Sequence, residues 1–237
     1  FHLIQDGIDA TVLMGCYEVE VDEGRYLEHI DTLGYPVHVY SRVGPSDTII
    51  DGTSSGTVVT IDTGEERDTI IEGFTITFGL ADRGGGFNLV STSPTITGNI
   101  IEWNEAAGSL GIGAGICSFY GDPLIEDNLF QFNDACWGGV EDGCDGGGVM
   151  VRSGAPDIIG NTFESNSAGD GGALWLAYAD ALVANNIIVG NMAHDTDPEE
   201  AGQGGGINIQ IGSSDCVVTN NIITDNVAST HGGGVAV

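Results

Sequence analysis

Along residues 84–237 the apolar positions recur as short alternating runs, each opened by a cluster of glycines. The runs read "GGGFNL" (84–89), "GAGICS" (113–118), "GGGVMV" (146–151), "GGALWL" (171–176), "GGGINI" (204–209) and "GGGVAV" (232–237). Successive side chains of a strand point to opposite faces. Alternation in "GVMVR" therefore puts Val149 and Val151 on one face, Met150 and Arg152 on the other. Between the runs come asparagine pairs: Asn99 and Asn104, Asn128 and Asn133, Asn161 and Asn166, Asn186 and Asn191, Asn221 and Asn226. Each pair reads Asn, any residue, Ile or Phe, two more residues, Asn, and an alanine follows two residues later (Ala106, Ala135, Ala168, Ala193, Ala228). From the third residue of a glycine cluster to the first Asn is 13 residues in four turns and 15 in the last, and the two Asn are always five apart. Only the segment between the second Asn and the next glycines changes much in length. A fixed coil with a variable loop on one edge is the signature of a solenoid.

The repeating units are short strands rich in β-branched residues and punctuated by Gly, Asn and Pro, which excludes a helical solenoid. Three short strands per turn, each about 4.8 Å above its counterpart in the previous turn, predict an all-β, right-handed parallel β-helix. Glycine supplies left-handed backbone angles at the corners. Asparagines at equivalent corners predict a structural ladder, their amides hydrogen-bonding to the coils above and below. Residues 17–83 repeat less cleanly and predict irregular first coils, with strands at "YEVEV", "PVHVYS", "DTIID", "TVVTI" and "DTIIEGFTITF". Before them, "HLIQDGIDATVLM" spaces Ile4, Ile8 and Val12 on one helical face. A short N-terminal helix within 1–16 is expected to cover the open first coil and its strand edges.

Length and composition refine this picture. The chain has 237 residues and no linker-like stretch, which predicts a single domain over 1–237. It has 35 acidic residues against five arginines and no lysine, a net charge of −30. Such a chain offers no clustered base for nucleic acid or an anionic membrane and favours cations. No run of 18 apolar residues is present, so no membrane insertion is expected. The chain stops after the first strand of a sixth glycine-led coil, an uncapped C-terminal end. That predicts either a longer natural chain or a contact with another subunit. Of the five cysteines, Cys136 and Cys144 bracket "CWGGVEDGC" and are candidates for a local disulfide. The pairing of Cys16, Cys117 and Cys216 is open.

The segments "IQDGIDA", "DEGRYLEHID", "GPSDTIIDG" and "GFTIT", followed by the glycine and asparagine turns, resemble the secreted right-handed parallel β-helix proteins of the pectate-lyase-like superfamily. The turns also resemble those of chlamydial polymorphic outer-membrane proteins. The resemblance implies the fold and an extracellular or cell-surface location, but no single function, since that superfamily spans lyases, hydrolases, epimerases, adhesins and passive stalks. The Asn-Thr-Asp, Asp-Asp, Gly-His-Gly and Arg-Ile-Lys motifs of polygalacturonase-type members are missing. A uronate lyase needs an Arg or Lys base and further basic residues, whereas this chain has no lysine and only Arg152 after Arg83.

Candidate sites lie on the loop edge and on one strand face. The edge after each Asn pair collects carboxylates, among them Glu105 and Asp134. Glu141, Asp142 and Asp145, and Asp195, Asp197 and Glu199, are the best candidates for binding Ca²⁺, which takes six to eight hard oxygen ligands. A solvated acidic fringe is the competing expectation. One outward strand position reads Asn88, Cys117, Met150, Trp175, Asn208 and Ala236 in successive coils. Cys117, Met150 and Trp175 would form either an exposed partner or glycan surface or a stripe buried under a loop. The resulting expectation is a non-catalytic structural, adhesive or assembly module stabilised by divalent cations. Its partners would be other copies of itself or surface proteins, with glycan as a further ligand. The alternative is a carbohydrate-active enzyme or glycan-binding module for a neutral polysaccharide.

Overall fold

A computed structural model describes residues 1–108, 110–135, 144–194, 202–210, 212–213 and 215–237, with Val12 described for its backbone alone. After one N-terminal helix the described residues wind through stacked coils whose strands pair in parallel across three sheets of eight strands each, with two smaller sheets of two and three strands. A full coil runs from the first sheet to the second and then the third, as in Thr95–Thr97, Ile100–Glu102 and Ile116–Phe119. Eight strands per sheet make seven steps of about 4.8 Å, a rod about 34 Å long. Among the described residues no helix is long and apolar enough to cross a membrane.

Register turns the sequence alternation into apolar columns. In the first sheet Val39, Ile71, Ile96, Ile125, Ile158 and Val183 stack in line. In the second, Ile50, Ile76, Ile101, Phe130, Phe163 and Ile188 do the same. All of these are fully buried. Phe130 and Phe163 stack with ring centroids 4.6 Å apart. The third sheet contributes Val149 and Val151 to this core and leaves Arg152 exposed, as the alternation predicts.

The glycine clusters have two separate physical reasons. Gly146, the first of its cluster, has φ +68°, a left-handed angle that side chains resist. Gly147, the second, has no room: a Cβ there would lie 2.4 Å from the Gly172 carbonyl oxygen and 2.5 Å from that of Ser167. Ala106, Ala135 and Ala168, which follow Asn pairs, form one buried cluster with Ala114 of a glycine-led run.

The helix spans Ile4–Met14 and packs on the first-coil strands Glu18–Val21 and Ile30–Asp31. Ile4 and Ile8 are buried as predicted, whereas the Val12 side chain lies outside the described residues. The helix start is capped by the first coil: the Glu28 carboxylate accepts the Ile4 and Gln5 N–H groups at 2.9 and 3.1 Å. Gln5 in turn pairs with the open strand edge, its Nε2 donating to the Asp31 carbonyl (3.1 Å) and its Oε1 accepting the Asp31 N–H (2.8 Å). Two strands of that first coil, Gly24–Leu27 and Ile30–Asp31, were not anticipated from the sequence.

Candidate functional site

Two asparagine ladders run the length of the regular coils. In one, Asn104 Nδ2 donates to Asn133 Oδ1 (3.1 Å), Asn133 to Asn166 (2.9 Å), Asn166 to Asn191 (2.9 Å) and Asn191 to Asn226 (2.9 Å). The other links Asn99, Asn128, Asn161, Asn186 and Asn221 in the same way. Each Oδ1 also accepts a backbone N–H of the preceding coil, beginning with Phe74 for Asn99 and Gly79 for Asn104. Eight of the ten are buried, and Asn221 and Asn226 are partly so.

A ladder Asn that points inward forces its two neighbours outward, and this creates a cleft. The residue before each Asn of the second ladder has a left-handed backbone: Trp103 (φ +53°), Phe132 (+55°), Ser165 (+57°), Gly190 (+66°) and Asp225 (+56°). Phe78 (+54°) occupies the same row one coil earlier. Such angles strain any side-chain-bearing residue by about 1–2 kcal/mol relative to glycine. Trp103 and Phe132 nevertheless stand there half-exposed, at 50% and 40%, stacked with centroids 4.7 Å apart and planes at 19°. On the far side of the ladder, Glu105, Asp134 and Ser167 form a second row through parallel bridges. The two rows enclose a cleft of about 230 Å³ over Asn133, with one aromatic and one carboxylate wall, opening where Ser165 and Ser167 are small. Burial and the neighbouring Asp134 push the Glu105 carboxyl above its ordinary value. The repeated tetrapeptides "WNEA" (103–106) and "FNDA" (132–135) were the signal for this site. Their Asn, acid and Ala belong to the repeat, whereas the aromatic position before them is shared by these two turns and not by the later three.

The residues expected to form sites fall elsewhere. Cys117, Met150 and Trp175 do align through successive coils, but they are covered rather than open, at 0%, 2% and 9% exposure. Leu110 and Ile112, from the connection before Ile116–Phe119, pack over them with Phe119 and Ala177. The stripe is therefore a second small core and not a partner or glycan surface. Burial pushes the Cys117 thiol up to about 12, against the opposing effect of Arg83, so it behaves as an apolar filler. The Trp175 Nε1 is buried without a hydrogen-bond partner.

Of the calcium candidates, Glu141, Asp142, Asp195, Asp197 and Glu199 lie outside the described residues, as does Cys136 of the disulfide candidate. Cys144 is half-buried. Asp145 accepts the Gly113 N–H on its carbonyl (2.8 Å) and borders a shallow recess of about 280 Å³ with Arg152, Trp175, Tyr178 and Gln210. Among the described residues no three His, Cys, Asp or Glu side chains are grouped to hold a metal.

A family model described as the right handed beta helix region matches residues 46–237. No curated protein and no solved structure matches the chain.

Proposed function

The chain belongs to the right-handed β-helix family, and from that premise we propose that it is a non-catalytic structural, adhesive or assembly module, secreted or displayed at a cell surface. The observation that supports this is the unbroken register. Three eight-stranded sheets and two buried asparagine ladders run through the coils. A solenoid so fixed is a stiff rod, suited to holding surfaces at set positions. Divalent cations at the acidic loop edge, with Ca²⁺ as the expected ion, stabilise it and bridge neighbouring rods. Electron microscopy of native material, with calcium and after chelation, tests the proposal. Ordered filaments or lattices that disperse on chelation support it, and dispersed particles indifferent to chelation refute it.

The alternative, an enzyme for a neutral polysaccharide, has one arrangement in its favour: the adjacent carboxylates Glu105 and Asp134 beside the Trp103–Phe132 stack. Release of reducing ends from a neutral polysaccharide, abolished in Glu105→Gln, would support that reading.

A further inference from the structure

We propose that the corner cleft between Trp103–Phe132 and Glu105–Asp134 receives the guanidinium of an arginine presented by a partner protein. The cleft has the two walls such a group needs. Its flat face stacks on an aromatic ring, and its in-plane N–H donors reach carboxylates at the edge. The stack of rings ends at Phe132, because the next rung of the row is Ser165, which leaves a step where a planar group fits.

The molecule already contains such an arrangement at the other end of the same row. There the Arg25 guanidinium lies 5.7 Å from the centroid of the Phe78 ring and pairs with the Asp51 carboxylate, its Nε donating to Oδ2 at 2.7 Å. The rung before Phe78 is Gly52, which has no side chain. An aromatic ring and a carboxylate thus hold an arginine internally, and the open end of the row offers a ring beside the small Ser165, with its carboxylates on the opposite side of the row from Asp51.

Charge selects the occupant. The whole chain carries a net charge of −30, so a cationic partner is drawn in and a second copy of this chain is repelled. Burial and Asp134 act against the charged form of Glu105, and a bound cation relieves both. A neutral sugar would stack on the ring but bring no charge to the partly desolvated Glu105 carboxylate. A lysine would answer the charge but lose the stacking. The inference stands apart from whether rods assemble, since it concerns one cleft on a single chain.

The test is a nuclear magnetic resonance titration of the isotope-labelled chain with N-acetyl-arginine-N-methylamide, its lysine counterpart and cellopentaose. The arginine compound is expected to shift the Trp103 indole N–H and the Ser165 and Ser167 amides, and the lysine compound to bind more weakly. Phe132→Gly removes the platform at a left-handed position that Gly190 fills two coils on, so its fold is preserved. It should weaken arginine binding about three- to tenfold, as should Glu105→Gln, while Ser165→Trp fills the step and abolishes it. Equal binding of arginine and lysine compounds overturns the proposal. So does binding unchanged in Phe132→Gly, or cleft shifts from cellopentaose with none from arginine.

Discussion

Asn133 shows what a single ladder amide contributes. Its Oδ1 accepts the Asn104 backbone N–H (3.2 Å) and side-chain Nδ2 (3.1 Å), and its own Nδ2 donates to Asn166 and to the Ile101 carbonyl. It is fully buried. Asn133→Ala strands those donors and acceptors away from water, and unmade buried hydrogen bonds are expensive. It should cost about 2–4 kcal/mol in urea unfolding, whereas Asn226→Ala, at a half-exposed rung, should cost about 1 kcal/mol. Glu65 is a second such residue. Desolvation pushes its carboxyl upward, but the Thr32 hydroxyl and the N–H groups of Glu65, Thr63 and Gly34 outweigh that and hold it below its ordinary value of 4.5. A depressed folded pKa adds stability that is present above the unfolded value and is lost as pH falls through the folded one. Glu65→Gln should therefore be less stable than the parent at pH 7. The gap should close below about pH 4.5, as urea midpoints across a pH series would show. The ladder was legible because every rung is the same residue at fixed spacing. The left-handed row beside it was not, because Phe78, Trp103, Phe132, Ser165, Gly190 and Asp225 share a conformation and no chemistry. The corner itself imposes that conformation, before Gly79 as before the five asparagines, so residue preference gives no sign of it.

At the scale of elements, the regular coils and the cap were readable for different reasons. Coil strands alternate with period two behind a glycine, and the Ile4–Met14 helix keeps Ile4 and Ile8 one turn apart. The first coil was legible only at "YEVEV", because "GRYL" alternates half-buried with exposed positions and carries no apolar run. Its strands are held by what they touch: Tyr26 stacks under Ile50 in register, and Ile30 pairs with Val59. The covered stripe was half-legible. Alignment gave the column of Cys117, Met150 and Trp175, but whether chain folds over a column depends on Leu110 and Ile112, which belong to a loop without period. The helix makes a local prediction. In a solenoid each coil leans only on its neighbours, so damage at one end stays there. Ile8→Ala, which opens a cavity under the helix, should cost about 2–4 kcal/mol. Gln5→Ala should leave the Asp31 N–H without its acceptor. In both variants hydrogen exchange should speed up at Val19, Val21 and Ile30, while the amides of Ile125 and Ile158 stay as slow as in the parent.

Across the whole molecule, stacking and charge oppose each other. Stacking coils at about 4.8 Å brings like loops into register, so carboxylates of successive coils line one edge, as Glu105 and Asp134 do. A net charge of −30 on 237 residues then works against the folded rod, which holds those charges closer than the unfolded chain does. Two remedies make different predictions. Screening acts through ionic strength alone: with a Debye length of about 10 Å at 0.1 M salt falling to about 3 Å at 1 M, the melting temperature should rise with NaCl and level off. Site binding acts through coordination and mass action, so it depends on the ion and saturates with its own affinity. Thermal unfolding in NaCl, MgCl₂ and CaCl₂ at matched ionic strength separates the two. If Ca²⁺ holds the acidic loops, millimolar calcium should raise the melting temperature well above the NaCl curve, with magnesium between them, and chelation should return it to that curve. Three coincident curves would assign the whole effect to screening, and the acidic edge would then be a solvated fringe that sets partner charge rather than an ion site.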